Sequence, residues 1–536
     1  MMSQGRVRHR IAGADILDGT GRLCYRADLL IEDGLIAAIE RDGAVSAGWD
    51  AQLVDAAGRT LCPGFIDVHS HADNAPFLNT DDTTKIAQGV TTEVPDNCGI
   101  SLAPVGEKHT DQAWREIREQ FPLDTGSWTT TAELFAAIDE HGTVTNVCPL
   151  IGHGTIRTAV VGAAARALTD TELRAMTDLL RSAVEAGAFG LSSGLIYPPG
   201  VYAGTDELAA LAAVLPEGRV HATHMRNESN RLMDSIEESL RTVRNAGCRL
   251  QISHLKSAGR ANFGGVTTAL RRLDQAREDG IPVAQDVYPY DAASTSLSAC
   301  LPPWMHEGGT TQILRRLHDA ADLARVRAEI AAETENAHWE NLIQGAGGFG
   351  GVLVASTESG SYVGRTLLQL AEDLSLEPFD ALVHVLVSEA LNVQMVEFCM
   401  VEDDVDTVLR SPHTAIGSDG LSPGLGGCPH PRLFGTYPRV LGRFVRERQV
   451  LDLAEAVRRM TSLPAQLFSV PNRGVVAPGM VADLVCFDPA RIGHDGDYLH
   501  PAVAPSGIDW VMQAGRRVMV DGQWQGVRGG RRLQPA

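Results

Sequence analysis

PGFIDVHSH, residues 63–71, is a short apolar run that ends in two histidines two positions apart. Side chains at i and i+2 of a strand leave the same face, so His69 and His71 can turn together toward one ion. Four more residues of metal-ligand type stand in the same local setting, each closing an apolar run that reads as a buried strand. They are Cys98 in DNCG, His224 in HATHMRNE, His254 in QISHLKS and Asp419 in AIGSDG. Single ligands at the ends of several strands describe a metal site at the mouth of a barrel. A lone histidine at a strand end is more often an ordinary hydrogen-bonded group; the reading rests on all six residues and their order.

Eight candidate strands follow one another, at about 64–71, 91–98, 145–152, 187–193, 219–225, 249–255, 282–289 and 413–419, with helical periodicity between most of them. TDTELRAMTDLLRSAVEAG, residues 169–187, is one such helix, with Thr169 or Asp170 as its cap and Gly187 as its stop. The alternation predicts an α/β fold, a (β/α)8 barrel over 63–473 with its active site at the C-terminal ends of the strands. Residues 1–62 and 474–536 instead hold short strand-like runs broken by Gly and Asp turns (ADLLIEDGLIAAIE, ADLVCFDP, VMQAGRRVMVDGQW), and a small β-sandwich built from both termini is expected. More than 120 residues separate the seventh and eighth runs, too many for one helix and its loops. An insertion is therefore placed at about 292–350, either a substrate lid or a surface elaboration.

Composition narrows the function classes. The 536 residues are 44% hydrophobic and 21% charged, as in ordinary soluble proteins, and no apolar run approaches the roughly 20 residues of a membrane span. MMSQGRVRHRIAGADI at the start has no apolar signal core, so a cytoplasmic location is expected. A formal charge of -21, with no Lys/Arg cluster interleaved with aromatics, argues against nucleic acid and otherwise only favours solubility. Nine dispersed cysteines without a C-x-x-C pair fit a reducing compartment.

Over nearly its full length the chain resembles the amidohydrolase superfamily and, within it, the N-acyl-D-amino-acid deacylases, or D-aminoacylases. PGFIDVHSH, TTEVPDNCGISLAP, GAFGLSSGLIYPPG, THMRNES, ISHLK, DVYPY, GSDG and HPRLFGTYPRVLG are similar to that family's segments in that order. NCGIS with SSGLIYPP and DVYPY points to the subgroup. The resemblance implies a tightly held zinc (Zn2+) on Cys98, His224 and His254, and a second, weaker position formed by His69, His71 and Asp419. The cysteine then replaces the bridging carboxylated lysine of many relatives. Independently, the chain has only three lysines, Lys85, Lys108 and Lys256, and its fourth strand ends in Leu191, Ser192, Ser193 and Gly194, where no lysine is available. Asp96 departs from the Gly expected before NCG.

The activity implied is hydrolysis of the amide bond of N-acyl-D-amino acids to a carboxylate and a free D-amino acid. Asp419 would carry the proton from water to the departing amine, and Lys256, Arg432, Tyr197 and Tyr288 would bind the substrate's α-carboxylate. Lys256 lies two residues beyond His254, hence on the same face if that strand continues. DAASTSLSACLPPW, after DVYPY, lacks the arginine that D-glutamate-selective relatives carry in this region, so neutral, apolar side chains are expected, with Ala299, Cys300 and Leu301 as pocket candidates. Two other readings are a cyclic amidase of the hydantoinase or dihydroorotase kind and a non-catalytic scaffold with the amidohydrolase fold. The missing strand-four lysine and the NCG motif speak against the first, and six intact ligands against the second. His153, His221, His413 and His430 also lie near strand ends or site loops; His221, three positions from His224, is expected to face the helices.

Overall fold

The computed structural model describes residues 8–41, 51–106, 108–332, 339–421 and 426–536. Residues 1–7, within the stretch read above as lacking a signal core, lie outside the described residues, as do residues 333–338 of the insertion. The eight runs form strands Phe65–Asp67, Val90–Glu93, Asn146–Val147 continued by Leu150–Gly152, Gly190–Gly194, Val220–His224, Arg249–Ile252, Val283–Val287 and Thr414–Ile416. They are counted first to eighth below. The ladders between neighbours are parallel. Across the break in the third strand the amide of Cys148 donates to Glu93 at 2.8 Å, and the carbonyl of Pro149 accepts from Phe189 at 2.8 Å. The ring closes between the first and eighth strands, where Ser70 bridges Gly420 and the amide of Asp419 donates to the carbonyl of His69 at 2.8 Å.

Every residue of the fourth, fifth and seventh strands is buried, as expected of a parallel sheet covered on one face by helices and filled on the other by its own side chains. The second helix after the third strand, Asp170–Glu185, is capped by Thr169, whose hydroxyl accepts from the Glu172 amide while Glu172 reaches back. Its buried Met176, Leu180 and Ala183 form one stripe at i, i+4 and i+7, and Gly187 ends it at φ 110°. Glycine is required where ligand-bearing backbone comes close. A Cβ at Gly194 would lie 2.0 Å from the Cys98 carbonyl oxygen, and one at Gly417 would lie 2.7 Å from the Cβ of His69.

Both termini contribute to one hydrogen-bonded network of nine strands, drawn from residues 8–63 and 484–524, over a separate apolar cluster that includes Ile11, Leu29, Ile31, Leu484 and Met512. The insertion has its own antiparallel sheet of Ala293–Ser296, Val393–Glu397 and Val352–Thr357 and its own core around Leu297, Val354, Leu382 and Met395. It therefore runs on to Glu397, beyond the bound near 350 read from sequence. The runs at 352–357 and 393–397 have the apolar character of barrel strands, and only the pairing of 393–397 with 293–296 on one side and with 352–357 on the other assigns them here. No helix among the described residues is long and apolar enough to cross a membrane.

A buried cation ties the closing strands together. The Nζ of Lys85 donates to Asp67 at 2.7 Å, Ser418 at 2.8 Å, Ser70 at 3.0 Å and Glu93 at 3.2 Å. Burial opposes its charge, but Asp67 and Glu93 keep the ammonium protonated well above its ordinary range. Lys85→Met would leave two buried carboxylates without their cation, an expected loss of about 3–5 kcal/mol. Denaturant unfolding checks this, and an unchanged midpoint would refute the structural role.

Candidate functional site

The candidate ligands sit at the strand end in His224 and just past the strand ends in the other five, and the backbone bends sharply to aim several of them. Cys98, His254 and Asp419 have φ of 53°, 34° and 49°, in the left-handed region that residues with a Cβ rarely adopt. Such strain persists where surrounding structure enforces it, most often at functional sites. Six side chains converge in two groups that share Cys98. His69, His71, Cys98 and Asp419 place one ligand atom each within 4.8 Å of one another, as do Cys98, His224 and His254. The Sγ of Cys98 lies 3.4 Å from Nε2 of His69, 3.7 Å from Nδ1 of His224 and 3.7 Å from Nε2 of His254. Sulfur at ~2.3 Å and nitrogen at ~2.1 Å from one tetrahedral ion would be about 3.6 Å apart, so the donor set fits zinc. Burial disfavours a thiolate at Cys98, yet the surrounding His69, His224 and His254 hold the thiol well below its ordinary range.

Carboxylates stand behind the histidines. Oδ1 of Asp286, on the seventh strand, lies 3.4 Å from Nδ1 of His69 and accepts from the His254 amide at 2.8 Å. Oε1 of Glu228 lies 3.1 Å from Nδ1 of His254, and its Oε2 lies 3.4 Å from Nε2 of His224. Burial works against the Glu228 charge, but Lys256 and the two histidines bring its carboxyl down to about 2. Asp419 is likewise ionised against burial, held far below its usual range by Arg432 and His69. Its Oδ1 is 3.3 and 3.2 Å from Nε2 of His69 and His71, and its Oδ2 is 2.8 Å from Nη1 of Arg432. Asp96 is pushed the other way, well above its ordinary range, by burial and by its neighbour Asp73.

From these ligands a cavity of about 340 Å³ opens beneath the insertion, lined by Tyr197, Lys256, Tyr288, Ser294, Ser296, Ala299, Glu340 and Glu397 among others. The Tyr197 ring packs edge-on to His224 at 5.1 Å, and its hydroxyl accepts from Thr295 at 2.9 Å. Tyr288 lies beneath the Arg432 guanidinium at 4.7 Å. Arg432 reaches Asp419 rather than open cavity. Lys256 does meet His254, with Nζ 2.8 Å from Nδ1, but not by strand continuation. The sixth strand stops at Ile252, and the left-handed turn at His254 brings the lysine round.

Cys300 is the misplaced candidate. It is fully buried in the insertion's core, its thiol 3.6 Å from the Met395 sulfur, because the 3-10 turn Leu297–Cys300 sends Ala299 to the cavity and Cys300 inward. Leu301 is in that core too. The other histidines hold structure. His153 pairs with Glu207 at 2.8 Å, His221 contacts Ser193 at 3.0 Å, and His430 bonds the Ala292 carbonyl and the Arg432 amide. His413 precedes the eighth strand, at the end away from the ligands. Glu228 and Asp286 were missed by sequence reasoning; their only signal was a place inside THMRNES and DVYPY.

Residues 52–523 match the model of the amidohydrolase family. The chain is 34% identical over 522 residues to N-acyl-D-aspartate deacylase of Alcaligenes xylosoxydans xylosoxydans, covering 97% of this chain and 92% of that one. It is 34% identical over 532 residues to D-aminoacylase of the same organism, covering 98% and 96%. The crystal structure of N-acyl-D-glutamate deacylase from Bordetella bronchiseptica, complexed with zinc and a phosphonate mimic of the tetrahedral intermediate, superposes with a TM-score of 0.81 at 34% identity, covering 98% and 99%. At this coverage the likeness takes in the barrel, the insertion and both halves of the β domain, and the chain belongs to the amidohydrolase family, as a metal-dependent hydrolase.

Proposed function

We propose that the chain hydrolyses N-acyl-D-amino acids with zinc as its metal, releasing a carboxylate and a free D-amino acid. The observation that carries this reading is the cavity joining the Cys98, His224 and His254 cluster to Lys256 and two tyrosines, a cationic and phenolic wall suited to an α-carboxylate. The three named relatives act on N-acyl-D-amino acids or are D-aminoacylases, which supports the substrate class. Zinc held by Cys98, His224 and His254 would supply a Lewis acid that lowers the pKa of water from ~15.7 toward ~7 and polarises the scissile carbonyl. Asp419, ionised and facing that cluster, takes the proton of the attacking water and delivers it to the departing nitrogen. Lys256 with Tyr197 and Tyr288 fixes the carboxylate, while Arg432, turned to Asp419, acts through that residue, and a fixed carboxylate beside a walled side-chain pocket separates D from L forms.

The pocket also bears on which D-residue fits. No arginine is among the described residues lining the cavity, and its 293–299 wall is uncharged; its lining also includes Glu340 and Glu397. An acidic substrate side chain would be buried without a partner, at a cost of several kcal/mol, on the order of 10²-fold or more. N-acetyl-D-leucine, D-methionine and D-phenylalanine should therefore be hydrolysed well, N-acetyl-D-glutamate poorly and the L-enantiomers hardly at all. A kcat/KM panel tests this. N-acetyl-D-glutamate as the best substrate, or L-forms as fast as D-forms, would overturn the preference; turnover of hydantoin or dihydrouracil instead would move the chain to the cyclic amidases.

A further inference from the structure

We infer that Glu228 is a positioning residue: one carboxylate that sets the ring tautomers of both His224 and His254 for metal binding while holding Lys256 in place. The inference rests on the metal and anchor roles proposed above. The two histidines face Cys98 through different nitrogens, Nδ1 in His224 and Nε2 in His254, each 3.7 Å from the sulfur. The opposite nitrogens both face Glu228, Nε2 of His224 at 3.4 Å from Oε2 and Nδ1 of His254 at 3.1 Å from Oε1. A neutral imidazole carries one N–H, and a carboxylate only accepts. Glu228 thus draws the proton to Nδ1 of His254 through a hydrogen bond and to Nε2 of His224 through its nearby charge, a contact without hydrogen-bond geometry, leaving a lone pair toward Cys98 in both. That accounts for the use of two different ring nitrogens.

The third donor is Lys256, whose Nζ lies 2.5 Å from the same Oε2 and 2.8 Å from Nδ1 of His254. With the metal-binding tautomer in place that Nδ1 bears a proton and cannot accept from the ammonium, so their 2.8 Å contact must open, leaving Lys256 to Glu228 and to a ligand in the cavity. The Glu228 side chain is buried and the backbone of Glu228 is pinned at both ends. Its amide donates to Oε2 of Glu340 at 2.7 Å, and its carbonyl accepts from Ala258 at 2.7 Å. Glutamine has the same shape but a single acceptor oxygen, and its amide nitrogen would confront an N–H of a histidine or the lysine.

Zinc affinity of the purified enzyme, read by competition with a chromogenic chelator, tests the inference without any substrate. Glu228→Gln is expected to weaken zinc 10- to 100-fold. Lys256→Met should leave zinc affinity near that of wild type while raising KM, and Glu228→Gln should cost zinc equally in that background. Glu228→Asp keeps the charge on a shorter arm; it carries the same expectation and serves if the Gln variant does not fold. Wild-type affinity in either Glu228 variant, or a loss that vanishes once Lys256 is also replaced, would overturn the inference, the latter reducing Glu228 to a counter-charge. A substrate other than N-acyl-D-amino acids would show instead as wild-type inactivity on N-acetyl-D-leucine, with zinc affinities unaffected.

Discussion

Asp419→Ala is expected to lower kcat by 10²-fold or more while the zinc proposed on Cys98, His224 and His254 stays bound. The two effects separate because Asp419 belongs to the group of His69, His71 and Cys98 and not to the group of Cys98, His224 and His254. Its backbone is fixed by the barrel closure, and its Oδ2 by Arg432, so its Oδ1 has a set direction. Removing it leaves Arg432, 1% exposed, as a buried cation without its counter-charge, so a stability loss accompanies the kinetic one. Asp419→Asn is the cleaner variant: it keeps the shape, cannot take the proton, and should match the kcat loss of Ala. Near-normal turnover in Asn would exclude the proton-carrying role. Loss of zinc together with activity would mark Asp419 as a structural ligand.

The barrel was legible because parallel strands buried on both faces must be written as apolar runs, and eight such runs recur with helices between them. Their lengths were not legible. The runs at 64–71 and 249–255 shrink to Phe65–Asp67 and Arg249–Ile252, because the residues that look like strand ends turn out of the ladder to aim ligands. The six side chains that converge were visible as residues of metal-ligand type in repeated settings. Glu228, Asp286 and Lys85 were not, since glutamate, aspartate and lysine usually mark solvated surface. Only cross-strand contacts reveal that these three are buried and bonded. Cys300 failed for a related reason: a 3-10 turn has neither the two-residue nor the 3.6-residue period, so which neighbour faces the cavity cannot be counted off.

Cys98→Ala is expected to remove the tight metal altogether and activity with it, the largest effect of any single change in the site. Cys98 is the one side chain common to both ligand groups, so its loss strips the first group to His224 and His254 and the second to His69, His71 and Asp419. Dividing the roughly 10–16 kcal/mol of a four-ligand zinc site evenly puts one ligand near 3 kcal/mol, about 10²-fold in affinity, and the shared position exceeds that share. The backbone does not confound the result: alanine meets much the same penalty as cysteine at φ 53°, and the site is already buried. Metal analysis should find about one zinc per wild-type chain and far less in the variant. Cys98→Ser, with a poorer zinc donor of similar size, should fall between them. A Cys98→Ala protein that kept a full equivalent of zinc and normal turnover would show that the metal sits elsewhere, because two histidines without the thiolate do not make a tight site.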